Sequence, residues 1–294
     1  MQQVFSPKQV ATAIGASESS VKRWCDRGII RSVKTAGGHR RVPIAEILDF
    51  IRTGDRGIVA PEVIGLPKDL DSGRPITDPA SEFKQQLLAG NYEGCRRVLL
   101  QLFLAQTSIA KILDDVVATA MHDVGDDWCD GKLEVYEERR SCELVTRLIY
   151  DLRSTLPTVA ADAPVAMGGG IESDPYTLPC RMVEMVLVDL GWNCSSLGTN
   201  VPLSSFIDAI ETHKPRLFWL SISAIEDEQT FLEWYARLSN NCGSSTALVV
   251  GGRGITDELR AEMDYSAHCE NLHRFEAFAK AIYQSNRHKN GAEK

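Results

Sequence analysis

Hydrophobic residues along this chain change their spacing three times. Over residues 1–54 the periods are short. Ser6, Pro7 and Gln9 are the residue types that cap and open a helix, Val10 and Ile14 share one of its faces, and Gly15 ends it. Ser17 caps a second helix through SVKRWCDR, and Gly28 stands where a left-handed residue closes it. Two short helices around a tight turn predict a helix-turn-helix. The arms of IIRSVKTAGGHRRVP around Gly37 and Gly38 predict a β-hairpin wing, and Ile44, Ile47, Leu48 and Ile51 then recur at helical spacing behind Pro43.

Residues 55–79 hold prolines and glycines with no sustained period, which predicts a semi-extended linker. From Ser81 the period is helical through SEFKQQLLAG, NYEGCRRVLLQLFLAQ, TSIAKILDDVVATAMHDVGDDWCDG and LEVYEERRSCELVTRLIYDLRSTL. The third run carries Ile109, Ile112, Leu113, Val116, Val117, Ala120, Met121, Val124 and Trp128 on one stripe. Short joints between the runs predict an antiparallel four-helix bundle over 80–157.

Over 160–288 strand-like runs alternate with helical ones: PVAMG, WNCSSLG, RLFWLSIS, TALVVGG and a weaker YSAHCE. Helices are expected near 181–189, 203–212, 228–238, 256–262 and 272–283. This alternation predicts a flavodoxin-like, Rossmann-type parallel α/β domain, with any ligand at the carboxyl ends of its strands. The fold class is therefore multidomain α and α/β: a winged helix-turn-helix head, a helical bundle and a doubly wound sheet.

Charge divides the chain in the same place. Residues 1–57 hold ten Lys and Arg against five Asp and Glu, a balance of +5, which leaves −13 for the rest of a chain of net charge −8. A basic head on an acidic body implies a polyanion partner for the head alone. No apolar run approaches the roughly 20 residues that cross a bilayer, and the start MQQVFSPKQV lacks the pattern of a secretory signal, so a cytoplasmic location and no membrane partner are expected. The cysteines at 25, 95, 129, 142, 180, 194, 242 and 269 show no CxxC spacing and read as small hydrophobes rather than bridges.

The order FSPKQVATAIGASESSVKRWCDRGII followed by AGGHRRV resembles the winged helix-turn-helix of the MerR and excisionase families. The resemblance implies that the second helix enters the major groove of double-stranded DNA and the wing grips a phosphate path. Ser19, Ser20, Lys22 and Arg23 then face DNA, with His39, Arg40 and Arg41 on the wing; such side chains mostly make phosphate contacts, which position without specifying. Trp24 is expected to close the small core.

The segment DDWCDGKLEVYEERR resembles the helical cap of cobalamin-dependent sensors and methyltransferases, whose signature is a Trp, nine residues, then Glu-His. Trp128 and Glu138 match; Arg139 stands in place of the histidine. Cys129 beside Trp128 is either a soft metal ligand or an inert thiol. The body resembles cobalamin-binding domains in the joint order of Asp174-Pro175-Tyr176-Thr177-Leu178-Pro179, Leu197-Gly198 to Pro202, Ser221-Ile222-Ser223 and Gly251-Gly252. The resemblance implies that small residues on the last two of these strands leave a slot for the cofactor's nucleotide tail. It also implies a cobalt-ligating histidine where this chain has Tyr176, and a phenol with a pKa near ~10 is a poor substitute at neutral pH. Three readings of the slot stay open: cobalamin as the adenosyl or methyl form, another tetrapyrrole, or no ligand.

Head, cap and body together resemble MerR-type regulators fused to a cobalamin-binding sensor of the light-responsive kind. This implies a non-enzymatic promoter-binding protein that assembles into dimers or tetramers under control of a corrinoid and light. A corrinoid carrier for methyl transfer is the competing class, but it needs the missing lower histidine and has no use for a winged head. No Ser-His-Asp or paired-carboxylate arrangement is evident, and His122, His213, His268 and His273 are isolated. A regulator with a ligand-free module answering a protein partner is the third.

Overall fold

The computed structural model describes residues 3–54, 57–70 and 76–291, with side chains through residue 285. The chain divides into two units, Met1–Pro157 and Thr158–Lys294.

The first unit begins with strand β1 (Val4–Phe5), helices α1 (Pro7–Ala13) and α2 (Glu18–Asp26), strands β2 (Val33–Lys34) and β3 (Arg40–Pro43), and helix α3 (Ile44–Thr53). Local chemistry sets the boundaries. Ser6 and Gln9 form a reciprocal capping box on α1, and the Ser17 hydroxyl accepts from the Ser20 N–H at 3.1 Å at the start of α2. Gly15 and Gly28 take φ of +64° and +70° and turn the chain after each helix. β2 and β3 form the expected hairpin, and β1 adds on the other side of β3, an antiparallel sheet in the order β1-β3-β2. The head's core is Val10, Ala13, Val21, Ile30, Val42, Ile47 and Leu48.

The stretch expected to be a semi-extended linker is folded where it is described; residues 55–56 and 71–75 lie outside the described residues. Ile58, Ile64, Leu66 and Leu70 are buried, and Pro61–Ile64 form a 3-10 turn closed by Gly65 at φ +71°. The Val59 N–H donates to the Ala13 carbonyl at 2.7 Å, and Arg96 and Gln101 donate to the carbonyls of Gly65 and Leu70 at 3.0 and 2.9 Å. The apolar residues here are buried one at a time, so they leave no period to read.

Four helical runs follow: α4 (Pro79–Leu88), α5 (Tyr92–Leu104), a run comprising α6 (Ile109–Ile112), a π-helical turn (Leu113–Ala118) and α7 (Thr119–Cys129), and α8 (Val135–Ser154). Asp78, Asn91 and Ser108 cap the first three through side-chain oxygens. The stripe on the third run is buried from Ile109 to Val124 except for the half-buried Met121, and Trp128 in its last turn is 44% exposed. The π turn was not expected; the hydroxyl of Thr119, the residue after it, donates back to the Asp114 carbonyl at 3.2 Å.

The second unit is a five-stranded parallel sheet: β4 (Val165–Gly170), α9 (Leu178–Asp189), β5 (Asn193–Ser196), α10 (Leu203–His213), β6 (Leu217–Ser221), α11 (Glu228–Cys242), β7 (Ala247–Gly251), α12 (Asp257–Ala261), β8 (Ala267–His268) and α13 (Leu272–Gly291). The strand order is β5-β4-β6-β7-β8, so the chain reverses its winding between β4 and β6. Period-2 alternation splits β6 between two layers. Phe218, Leu220 and Ile222 join Leu248 and Val250 in a core against Phe206 and Ile210 of α10 and Phe231, Tyr235 and Leu238 of α11. Leu217, Trp219 and Ser221 point to the other face, where Cys180 of α9 meets Ser221.

Candidate functional site

In the head, α2 fully buries only Val21. Ser19, Lys22 and Arg23 are exposed on it and Ser20 is half-buried. The hydroxyls of Ser19 and Ser20 lie 2.9 and 2.8 Å from that of Ser17, so both are tied into the cap. Lys22 pairs with Glu18 at 2.8 Å, a surface pair of small energetic weight. Arg23 has no ion-pair partner among the described residues. On the wing His39 is exposed, whereas Arg40 and Arg41 are half-buried. The Arg40 guanidinium is bonded to Asp26 at the end of α2, and that of Arg41 donates to the Arg40 carbonyl at 3.3 Å. Arg40 thus fastens the wing to α2. Trp24 packs on Phe50 of α3, ring centroids 4.9 Å apart, as expected of a core residue.

In the helical bundle, Trp128 and Cys129 are exposed at the end of α7. Glu138, one turn into α8, keeps 19% of its side chain exposed, while Arg139, in the place of the family histidine, keeps 77%. The Cys142 thiol donates to the Glu138 carboxylate at 3.1 Å; burial first, then that bond, push the thiol up to about 12, so Cys142 is an inert donor here.

At the switch point of the sheet, Asp174 is 1% exposed and ties two loops together. One carboxylate oxygen accepts the Ser223 N–H at 2.6 Å from the loop after β6, and the other accepts the Tyr176 N–H at 2.9 Å within the loop after β4. Those two N–H groups would otherwise be unpaired at the carboxyl ends of the strands. Tyr176 itself is 58% exposed.

The residues expected to keep a slot open do something else. Gly251 is where the Cys269 carbonyl approaches, 2.6 Å from the position a Cβ would take. Gly252, at φ +119°, has the Ile222 carbonyl 2.2 Å from that position. The Ile222 N–H donates to the Gly251 carbonyl at 2.8 Å, and the Gly254 N–H to that of Ile222 at 2.9 Å. The glycine pair therefore lets two backbones meet and leaves no space between them. Register aligns Gly170, Ser221 and Gly251 across three strands, and one step below them Gly168, Trp219 and Val249. Ser221 is buried on this face, as is the Cys180 thiol of α9, which burial pushes up to about 12 against a smaller downward pull from its hydrogen bond to Ser221. Trp219 is 1% exposed, and its indole carbon Cδ2 lies 2.4 Å from where a Gly168 Cβ would be. The indole covers the glycine. Sequence reasoning missed Trp219, although strand alternation already places it on the face of Ser221.

These residues do not fit a corrinoid held from below by histidine with its nucleotide tail inside the sheet layer. Tyr176 is exposed to solvent, and an indole fills the sheet layer that the resemblance assigns to the tail.

Comparison with known proteins bears on each part separately. A helix-turn-helix domain family matches residues 4–55, and a B12 binding domain family matches residues 80–152, both within the first unit. Among solved structures, the monomethylamine corrinoid protein of Methanosarcina barkeri aligns with a TM-score of 0.58 at 18% identity, covering 69% of this chain and 98% of its own. A cobalamin-binding protein from Desulfitobacterium hafniense DCB-2 aligns at 14% identity over 72% of this chain and 98% of its own, with a TM-score of 0.36. The first likeness establishes a shared fold; the second is too distant to argue from. No curated protein matches the chain. A helix-turn-helix domain and a B12 binding domain in one chain support DNA binding and cobalamin binding; the pairing fits a DNA-binding regulator with a corrinoid module, and it also fits a corrinoid protein.

Proposed function

We propose that this protein is a transcriptional regulator of the MerR kind, whose helical bundle and α/β unit form a corrinoid-responsive module that sets self-association and hence the grip of the head on a promoter. The observation that carries the reading is the presence, in one chain, of a helix-turn-helix whose second helix exposes Lys22 and Arg23 and a helical B12 binding domain. A head with so few groups facing a groove binds one half-site weakly, so dimers or tetramers supply the avidity. A ligand changes DNA affinity only as far as it prefers the assembled or the dispersed state. Light enters the reading through the photolability of alkylcobalamins. No group-transfer role is proposed.

The test is fluorescence anisotropy of a labelled promoter duplex with the full chain, with and without adenosylcobalamin or methylcobalamin, in darkness and after illumination, alongside sedimentation velocity. We expect at least a tenfold change in DNA affinity together with a change in sedimentation. DNA binding that ignores corrinoids while the protein still assembles would favour the second reading, a regulator whose module answers a protein partner. The closed sheet layer around Trp219 supports that second reading.

A further inference from the structure

We infer that Trp219 takes the place of a nucleotide tail inside the α/β unit, so that a corrinoid bound by this chain is recognised by its ring and periphery and its tail stays outside the sheet. This rests on the corrinoid reading above and narrows it.

A tail entering from the carboxyl ends of the strands must run down the face that carries Gly170, Ser221 and Gly251. That row is one residue step deep. The next row on the same face, about 7 Å further along strands that rise ~3.3 Å per residue, is Gly168, Trp219 and Val249. There the indole lies against Gly168, its Cδ2 2.4 Å and the Trp219 backbone carbonyl 2.1 Å from the position of a Gly168 Cβ, so both the strand backbone and the ring occupy the space above that glycine. The first row is closed as well: Ser221 is buried, Thr199 stands against Gly170 and the Cys269 carbonyl against Gly251. The Nε1 of Trp219 is buried with no acceptor among the described residues. Volume, and no hydrogen bond, holds the ring there. A swinging gate needs an alternative berth, and the other face of the sheet is filled by Phe218, Leu220, Leu248 and Val250 against α10 and α11.

The test compares two probes on the full chain: aquocobalamin, which carries the tail, and diaquocobinamide, which has the same ring without it. Retention after gel filtration and the visible spectrum are read for each. The inference predicts affinities within about threefold of one another and a cobalamin spectrum that keeps its own base on the metal. A preference for cobalamin of a hundredfold or more, with the spectrum of displaced base, would overturn it while leaving the corrinoid reading intact. Retention of neither probe would remove the corrinoid reading and this inference with it. Trp219→Ala, checked for folding by circular dichroism, should raise the cobalamin-to-cobinamide preference at least tenfold, and Trp219→Phe, which keeps a ring in place, should not. A folded Trp219→Ala protein with an unchanged ratio and no gain in cobalamin retention would also overturn it.

Discussion

Glycine serves opposite ends in the head and in the α/β unit. In the head, Gly28 and Gly38 sit at φ +70° and +77° with nothing within 4 Å of where a side chain would begin, so only the dihedral demands them. In the sheet, Gly168, Gly251 and Gly252 stand where a carbonyl or an indole presses within 2.6 Å of the same position. The first kind of glycine frees neighbouring side chains to face outward, which suits a surface that must meet a phosphate path. The second kind closes a layer. At these positions the same residue type marks an open turn in one case and a filled layer in the other, and only the neighbours tell which; the α/β unit has open turns of its own at Gly198 and Gly243.

Replacing Gly252 by alanine is the harshest way to probe that difference. The residue is at φ +119°, a conformation that side chains rarely adopt, and the obstructing atom is the backbone carbonyl of Ile222, which cannot swing away. Backbone strain and overlap together should cost about 3 kcal/mol or more, read as a fall in the urea midpoint with an unchanged slope. A loss below about 1 kcal/mol would mean that the layer yields, and that the site is more open than described.

The loop clasp comes next in size. Asp174→Asn keeps one acceptor oxygen and replaces the other by a donor, so one of the N–H groups of Ser223 and Tyr176 loses its partner at a buried position. The expected cost is about 1–3 kcal/mol. Hydrogen exchange should localise it to the loops after β4 and β6, and uniform loss across the sheet would contradict a local clasp.

On the DNA side, Arg23→Ala combined with Arg41→Ala should weaken binding to every duplex by roughly tenfold at moderate salt, and flatten the dependence of log K on log salt by up to about 0.9 for each phosphate no longer neutralised. Arg40→Ala offers a contrast. Because that side chain is bonded to Asp26, its loss should also lower the thermal midpoint, whereas the other two should leave it nearly unchanged.

How much of this was legible follows from the range of the forces involved. The capping box of Ser6 and Gln9, the turn at Gly28 and the flavodoxin-like alternation are local, and the sequence announces them. The folded stretch around Ile58, Ile64 and Leu70 was hidden because single burials carry no period. The partner of Asp174 lies 49 residues away, beyond any local signal. The roles of Gly251 and Gly252 were misread for a subtler reason: a missing side chain is equally compatible with a cavity and with a close backbone approach, and carbonyls from Cys269 and Ile222 decide for the second. Trp219 was within reach, since a strand that places Ser221 on one face places Trp219 there too.

The smallest effect sharpens the comparison most. An alanine at Gly28 meets no atom, so its only penalty is the left-handed backbone, about 1 kcal/mol. The Ile29 and Ile30 N–H groups both donate to the Trp24 carbonyl at 2.9 and 3.3 Å, and these bonds hold the turn in shape while the residue between changes. Urea unfolding should therefore show a loss no more than about a third of that at Gly252. DNA affinity should be unaltered, because α2 keeps its position and its exposed Ser19, Lys22 and Arg23. Equal losses at the two positions would show that dihedral preference, rather than close approach, dominates in both units, and the case for a tightly filled sheet layer would lose its main energetic support.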